Sequence, residues 1–191
     1  MNALITGATG LLGRHLTAQL RQAGWTVTGL ARRPQPGIMA CDLSRDELPA
    51  ELFRQADVVF HTAAAVTDWA PWSYFVANTI EATRRVASMP CRQLVHISTV
   101  GVYGRPRTTA ALTETQRYSS IGRWDDYSNA KIEAEIIARQ VPHVAILRPA
   151  MIYGAGDTGL IQRVAALLRQ NKIVLVGDPE TALPLVHASD V

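Results

Sequence analysis

Met1-Asn-Ala-Leu-Ile-Thr-Gly-Ala-Thr-Gly-Leu-Leu-Gly13 is the stretch that decides the fold. Asn2 to Thr6 is a short apolar run without charge, the pattern of a strand covered on both faces in a parallel sheet. It runs straight into Gly7, Gly10 and Gly13, spaced G-x-x-G-x-x-G, and then into Arg14 to Ala23, where Leu12, Leu16 and Leu20 share one helical face. Gly7 permits a tight turn, Gly10 lets a pyrophosphate come close to the backbone, and Gly13 lets helix pack on strand. The first amides of the helix then face an anion, helped by the helix dipole. Gly7, Thr9, Gly10, Leu11 and Leu12 are therefore expected to hold a dinucleotide. Three glycines in an ordinary loop are the alternative.

The bulk composition narrows the class. A chain of 191 residues suits one domain with a real core. It is 48% hydrophobic and 18% charged, as soluble globular proteins are. No apolar run approaches the roughly 20 residues that span a bilayer. A strand beginning at Asn2 predicts no signal peptide. Cys41 and Cys91, only two and far apart, predict a reducing cytoplasm with neither disulfide framework nor zinc site. A net charge of +3 from scattered Lys and Arg asks for neither nucleic acid nor a membrane surface. The expected partner is a small-molecule substrate, with a homodimer left open.

Further strands follow in order. Trp25 to Leu30 reads as the second and ends at Arg32-Arg33. An acidic residue there would bind the adenosine ribose hydroxyls and select NAD. Two arginines suit a ribose 2′-phosphate instead, so NADP is expected over NAD; a solvated basic turn is the alternative. Ile38 to Cys41 is the third strand. After it, Asp42 could accept from the adenine amino group while Leu43 covers the ring, or Asp42 could simply cap a helix over Ser44 to Arg54. Asp57 to Thr62 is the fourth strand and leads into Ala63 and Ala64, small residues that leave room for a cofactor. His61 inside it reads as a hydrogen-bonded core histidine. Trp69 and Trp72 could wall an apolar pocket or pack a loop onto the helix expected from Trp72 to Met89. Asn78 sits inside that helix, against its propensity, either fixing active-site backbone or water by a hydrogen bond or facing solvent. Gln93 to Ser98 is the fifth strand. A polar stretch from Arg105 to Asp126 reads as a functional loop. Tyr127 to Gln140 is a helix, His143 to Arg148 the sixth strand, and Leu160 to Gln170 another helix, with short apolar pieces at Ile173 to Val176 and Leu185 to His187.

The chemistry is expected at Tyr127-Ser-Asn-Ala-Lys131. Spacing of i and i+4 puts phenol and ammonium on one helix face. Free tyrosine titrates near pH 10, too high for acid–base work at neutral pH. A unit charge about 4 Å away is worth roughly 4 kcal/mol at an effective dielectric of about 20. That predicts a phenol brought down by up to roughly three pKa units. Such a tyrosine can exchange a proton with an alcohol or carbonyl as hydride moves, while a hydroxyl from Ser98 or Thr99 orients the substrate oxygen.

With these motifs in this order, the chain resembles the extended short-chain dehydrogenase/reductases. The shared stretches are Thr6-Gly-Ala-Thr-Gly-Leu-Leu-Gly13, Asp57-Val-Val-Phe-His-Thr-Ala-Ala64, Ser98-Thr-Val-Gly-Val-Tyr-Gly104, Tyr127-Ser-Asn-Ala-Lys131, Leu147-Arg-Pro-Ala-Met-Ile-Tyr-Gly154 and Leu185-Val-His-Ala-Ser-Asp190. The resemblance implies an α/β Rossmann-type doubly wound parallel sheet of order 3-2-1-4-5-6, one NAD(P)-binding domain over 1–191, with substrate-side elements from 105–126 and 154–191. It implies Thr99, Tyr127 and Lys131 as catalytic residues. Gly7, Thr9, Gly10, Leu11, Leu12, Arg32, Arg33, Asp42, Leu43, Thr62, Ala63, Ala64, Asn78, Ser98, Tyr127, Lys131 and Pro149 are expected along the cofactor, and no metal is expected. Met151 stands where sugar-nucleotide enzymes usually carry an asparagine. With Trp69 and Trp72, it is closer to the 3β-hydroxysteroid dehydrogenase and dihydroflavonol reductase-like branch, which implies an NADP-dependent oxidoreductase acting on a small apolar alcohol or ketone. A sugar-nucleotide epimerase or dehydratase is the runner-up, and a non-catalytic NADP-binding sensor or scaffold the third reading. Members continue beyond the Val-His-x-x-Asp element, so a chain ending at Val191 is expected to be a truncated product or fragment that binds NADP and turns over poorly.

Overall fold

The computed structural model describes residues 1–67, 69–104, 111–119, 122, 125–174 and 183–191. Its frame is a six-stranded, all-parallel sheet of order β3-β2-β1-β4-β5-β6, the order expected from the sequence. The strands are β1 (Asn2–Thr6), β2 (Thr26–Ala31), β3 (Ile38–Ala40), β4 (Val58–His61), β5 (Leu94–Ile97) and β6 (Val144–Leu147). β1 pairs on both sides, Leu4 standing opposite Thr28 and Val59. Its apolar run is buried because neighbours take all of its backbone groups and helices cover its faces.

Register puts Leu4, Leu30, Val59 and Leu94 on one face of the sheet. They form the main core with Phe53 of α2 (Ala50–Gln55) and Ala82 and Val86 of α4 (Ala82–Ala87). A second cluster joins Phe75 of α3 (Trp72–Phe75) and Ile80 to Ala130 and Ile137 of α5 (Asp126–Ala138). The helix expected from Trp72 to Met89 is broken in kind: between α3 and α4, Val76–Glu81 winds as π-helix. A wider turn of this sort lets one extra residue bulge from a helix. The helix expected over Ser44 to Arg54 is shorter, Ala50–Gln55. Asp42 caps a turn instead, its Oδ1 accepting from the Ser44 amide at 3.0 Å and the Ser44 hydroxyl at 2.7 Å. Pro49 then disfavours helical backbone at the residue before it.

After β6 a second, two-stranded parallel sheet pairs β7 (Met151–Tyr153) with β8 (Leu185–His187), with α6 (Leu160–Arg169) between them in sequence. No strand is expected from the sequence at 151–153, and the second half of the Ile173–Val176 piece lies outside the described residues. This small sheet is clasped to α1 (Leu11–Gln22). Arg14 donates to the Gly156 carbonyl at 2.7 Å, His15 Nε2 lies 3.0 Å from the Ala155 carbonyl, and Gln19 donates to the Ser189 carbonyl at 2.9 Å. The His15 ring meets that of His187 edge-on at 5.7 Å. Among the described residues, no helix is long and apolar enough to cross a membrane.

The glycine turn is packed without slack. A Cβ on Gly13 would stand 2.3 Å from the Gly7 carbonyl oxygen, and one on Gly7 would stand 2.8 Å from the Ala63 backbone. Gly13→Ala is expected to cost about 2 kcal/mol or more through overpacking. An unchanged urea midpoint would contradict this close fit of α1 on β1.

Candidate active site

Every residue singled out from the sequence for binding or catalysis lies on or beyond the carboxyl edge of the sheet, except Asn78, which lies in the π segment. Gly7 follows β1, Arg32 and Arg33 follow β2, Thr62 to Ala64 follow β4, Ser98 and Thr99 follow β5, and Pro149 follows β6. The strand order reverses direction between β1 and β4, the place where such sheets hold ligands.

The phosphate cradle is built from backbone. Gly7 has φ +72°, a region open to glycine, and its carbonyl accepts from the Gly10 amide at 2.9 Å. Gly10 is the N-cap of α1, no side chain caps that end, and the first turn carries no acidic residue. The leading amides of a helix have no acceptor within it, so an anion fits there. Thr9, Leu11 and Leu12 are half-buried around the turn. The Thr62 hydroxyl donates to the Thr6 carbonyl at 2.7 Å and so braces the β1–β4 junction. Arg32 and Arg33 are exposed beside it. Leu43 differs from its expected role: its side chain is sunk in the main core, so it presents no face to an adenine. Asp42 is half-buried, and its bonds to Ser44 are the chief reason its carboxyl titrates lower than usual. Asn78 donates to the Tyr74 carbonyl one turn back, at 2.9 Å, within its own helix.

Tyr127, expected as the acid–base residue, sits at the start of α5, where Asp125 caps the helix by accepting from the Ser128 amide at 2.9 Å. Tyr127, Lys131 and Glu135 fall on one face. Thr99 lies beside the Tyr127 phenol, near enough for its hydroxyl to favour the phenolate. Thr99 also accepts from the Gly101 amide at 3.2 Å, which fixes its rotamer over the short 3-10 turn Val100–Tyr103. Lys131 is 3% exposed and its Nζ donates to the Ile97 carbonyl. Burial brings the ammonium down to about 8. Beneath it the His61 and His96 rings lie 5.3 Å apart. His61 is the core histidine expected, bonded to the Thr6 hydroxyl at 2.7 Å and the Thr83 hydroxyl at 3.0 Å. Burial first, and then the Lys131 charge, bring it down to about 3. Both act on His96 in the same direction.

Two expectations are corrected here. The phenol is not pulled down as the Tyr–Lys spacing predicted. Burial pushes Tyr127 up, the Thr99 hydroxyl draws it back and the Asp125 charge raises it again. Loss of water around the phenol decides the direction, and the Lys131 ammonium is bonded to the Ile97 carbonyl instead. Nor does Trp69 wall a pocket: it is 91% exposed. Trp72 lines a groove of about 880 Å³ with Ile80 of the π segment and Asp126, Asn129 and Glu133, which lie on the side of α5 opposite Tyr127.

Sequence reasoning missed the group that organises this edge. Glu135, wholly buried, accepts from the Ser98 hydroxyl at 2.7 Å, the Tyr118 hydroxyl at 2.8 Å, Arg139 at 2.9 Å and the Arg148 guanidinium. Burial alone would raise its carboxyl, but these donors outweigh that and hold it near about 2. Ser98, expected along the cofactor, thus turns its hydroxyl inward, and Thr99 is the one beside the phenol. The available signal was a carboxylate among Ala130, Ala134 and Ile137 on an apolar helix face, matched by Arg148 at the end of an apolar strand.

A parallel sheet of this order, with a glycine cradle at β1 and a Tyr–Lys pair on the helix beside β5, defines a Rossmann protein of the nicotinamide-dinucleotide class. Residues 3–191 match the NAD dependent epimerase/dehydratase family, and the chain belongs to it, within the extended short-chain dehydrogenase/reductases. It is 29% identical to a 2-alkyl-3-oxoalkanoate reductase of Shewanella oneidensis, over 97% of this chain and 54% of that one. It is 28% identical to a ceramide reductase of Caulobacter vibrioides, over 97% and 57%. The chain therefore spans little more than half the length of these relatives. MoeE5 in complex with UDP-glucose and NAD superposes with a TM-score of 0.82 at 25% identity, over 100% of this chain and 69% of that one.

The buried ammonium has a consequence for stability. An unfolded lysine titrates at about 10.4 and Lys131 in the fold at about 8, so at pH 7 its charge costs folding about 3 kcal/mol. Its bond to Ile97 returns about 1 kcal/mol. Lys131→Met is expected to be about 2 kcal/mol more stable than wild type at pH 7. The unfolded chain holds more protons than the fold between pH 8 and 10.4, so wild type gains stability there and the gap narrows. A gap that stays constant in urea titrations from pH 7 to 10.5 would contradict this reading.

Proposed function

We propose that the chain is the dinucleotide half of an NADP-dependent reductase that interconverts an alcohol and a carbonyl on a small apolar substrate. The observation that carries this is Tyr127 and a buried Lys131 one turn apart on α5, with the Lys131 Nζ donating to the Ile97 carbonyl at the end of β5, on the sheet edge that holds the glycine cradle. The residues fit the cofactor: Gly7, Gly10 and the leading amides of α1 would take the pyrophosphate, and Ala63 and Ala64 leave room beyond β4. Pro149 lies at the end of β6, on the expected nicotinamide side. NADP, when bound, supplies or accepts the hydride. Thr99 orients the substrate oxygen, and Tyr127 gives its proton to that oxygen as a carbonyl becomes an alcohol, or takes it back in the reverse direction. A phenol held up by burial is protonated at neutral pH, which favours the donating direction.

Substrate polarity is argued from the described surface. Met151 and Leu185 present exposed apolar side chains on the small sheet, and relatives include reductases named for an oxoalkanoate and a ceramide. Likeness to MoeE5 with UDP-glucose supports the second reading, an enzyme of sugar nucleotides.

Tyr127→Phe separates an enzyme from a sensor. NADPH affinity, read by fluorescence titration, is expected within about twofold of wild type, because the phenol contributes at most one hydrogen bond to the dinucleotide. Turnover in an NADPH-oxidation screen over aldehydes, ketones and sugar nucleotides is expected to fall by about 100-fold or more. Equal turnover would overturn the acid–base role. For the 2′-phosphate, replacing Arg32 and Arg33 together by Ala is expected to weaken NADPH by about 10- to 100-fold through lost charge-assisted bonds, leaving NADH unchanged. Equal wild-type affinities for NADPH and NADH would overturn the NADP preference.

A further inference from the structure

The helical run after β4 turns two threonines, one turn apart, back toward that strand and the chain leaving it. In α4 the Thr83 hydroxyl lies 3.0 Å from Nε2 of His61, the last residue of β4, and His61 Nδ1 lies 2.7 Å from the Thr6 hydroxyl at the end of β1. In the π segment the Thr79 hydroxyl accepts from the Ala65 amide at 3.0 Å, four residues past the strand. Both threonines are 1% exposed, so water does not replace either partner. An amide buried without an acceptor is costly, and the Thr79 hydroxyl is what prevents that at Ala65. Wide turns of this kind recur at functional sites.

The segment from Thr62 to Ala65 joins the two halves of the candidate site. At its near end the Thr62 amide and hydroxyl both donate to the Thr6 carbonyl, at 3.3 and 2.7 Å. Ala63 then passes so close to the cradle that a Cβ on Gly7 would stand 2.8 Å from its nitrogen and Cα. At the far end Ala65 is buried with Phe75, Ile80 and Ala130, in the cluster against which Tyr127 packs. β1 therefore fixes the near end, and Thr79 fixes the far one. The sequence offers Asn78 for holding active-site backbone, but Asn78 bonds within its own helix and the next residue does the holding.

We infer that Thr79 is a positioning residue for the dinucleotide. By holding the Ala65 amide it keeps the far end of the Thr62–Ala65 segment at a set place beside the Gly7 cradle, so that the part of the dinucleotide beyond the pyrophosphate meets a formed wall. This rests on the dinucleotide reading of the cradle. It goes beyond that reading by naming a hydroxyl that shapes the wall from outside the residues expected along the cofactor.

The test compares two substitutions in the full chain that remove different parts of one side chain. Thr79→Val keeps the shape and loses the hydroxyl, whereas Thr79→Ser keeps the hydroxyl and loses the methyl. Affinities for NADPH and NADH are expected to fall about tenfold in Thr79→Val, the worth of one hydrogen bond, and to stay within about twofold of wild type in Thr79→Ser. The fragment 2′,5′-ADP ends at its 5′-phosphate. Calorimetry is expected to show it binding Thr79→Val within about twofold of wild type, because Thr62 holds the near end independently. Exchange of the Ala65 amide, followed by 15N NMR, is expected to quicken about tenfold in Thr79→Val alone. Unchanged NADPH affinity in Thr79→Val, or an equal loss in Thr79→Ser, would overturn the inference. Equal weakening of NADPH and 2′,5′-ADP would overturn it too, as the mark of a generally loosened fold. Should Thr79→Val fail to fold, Thr79→Ala against Thr79→Ser makes the same comparison. Wild type that binds neither NADPH nor NADH would sink the dinucleotide reading, and the inference with it, before any variant is made. The expected losses in a chain that turns over no carbonyl would uphold the positioning role and sink only the reductase reading.

Discussion

The candidate site depends on one buried ion pair, Glu135 with Arg148. Both groups leave water, Glu135 completely and Arg148 nearly so. Desolvating two charges is costly, and such a pair does not stabilise a fold by itself. What it does is forbid alternatives. The carboxylate has oxygens for several donors, and the guanidinium is a rigid fork. Satisfying both leaves a single relative placement of α5, β5 and β6. The catalytic geometry inherits that placement, because Tyr127 and Ser98–Thr99 hang from the same three elements.

Lys131 is the second constraint. Its ammonium is drawn under the phenol by the helix repeat and held there by a backbone carbonyl, with neutral imidazoles below. The fold thus stores an unfavourable charge at the place where the proposed hydride transfer would need one. Tension of this sort between stability and activity is common at functional sites. The phenol is raised, not lowered, because burial is the largest influence on it and the ammonium is bonded to Ile97.

Much of the frame was legible in the sequence. An apolar run at Asn2–Thr6 followed by glycines three apart has few readings, and the sheet order is what the resemblance to the extended short-chain dehydrogenase/reductases implies. The nearness of Thr99 to Tyr127 was legible because both lie at strand or helix ends marked by small and polar residues. Other features were not. Asp42 and Ser44 look like the start of a helix, but side-chain bonds let Asp42 close a turn without one. The π segment leaves no composition signal, since Val76 to Glu81 suit either winding. The direction of the Tyr127 shift could not be had from i, i+4 spacing, which gives proximity but neither burial nor where the lysine proton points. Glu135 and Arg148 carry opposite charge in two apolar stretches, a cue that only pays off when the strands are known to be adjacent.

The clasp of Arg14, His15 and Gln19 onto residues 155, 156 and 189 ties the start of the chain to its last described elements across 140 to 170 residues of sequence. Until the residues around 155 and 189 have found their places, the outer face of α1 lacks these partners, so the cradle helix is fully packed only after elements far along the chain have folded.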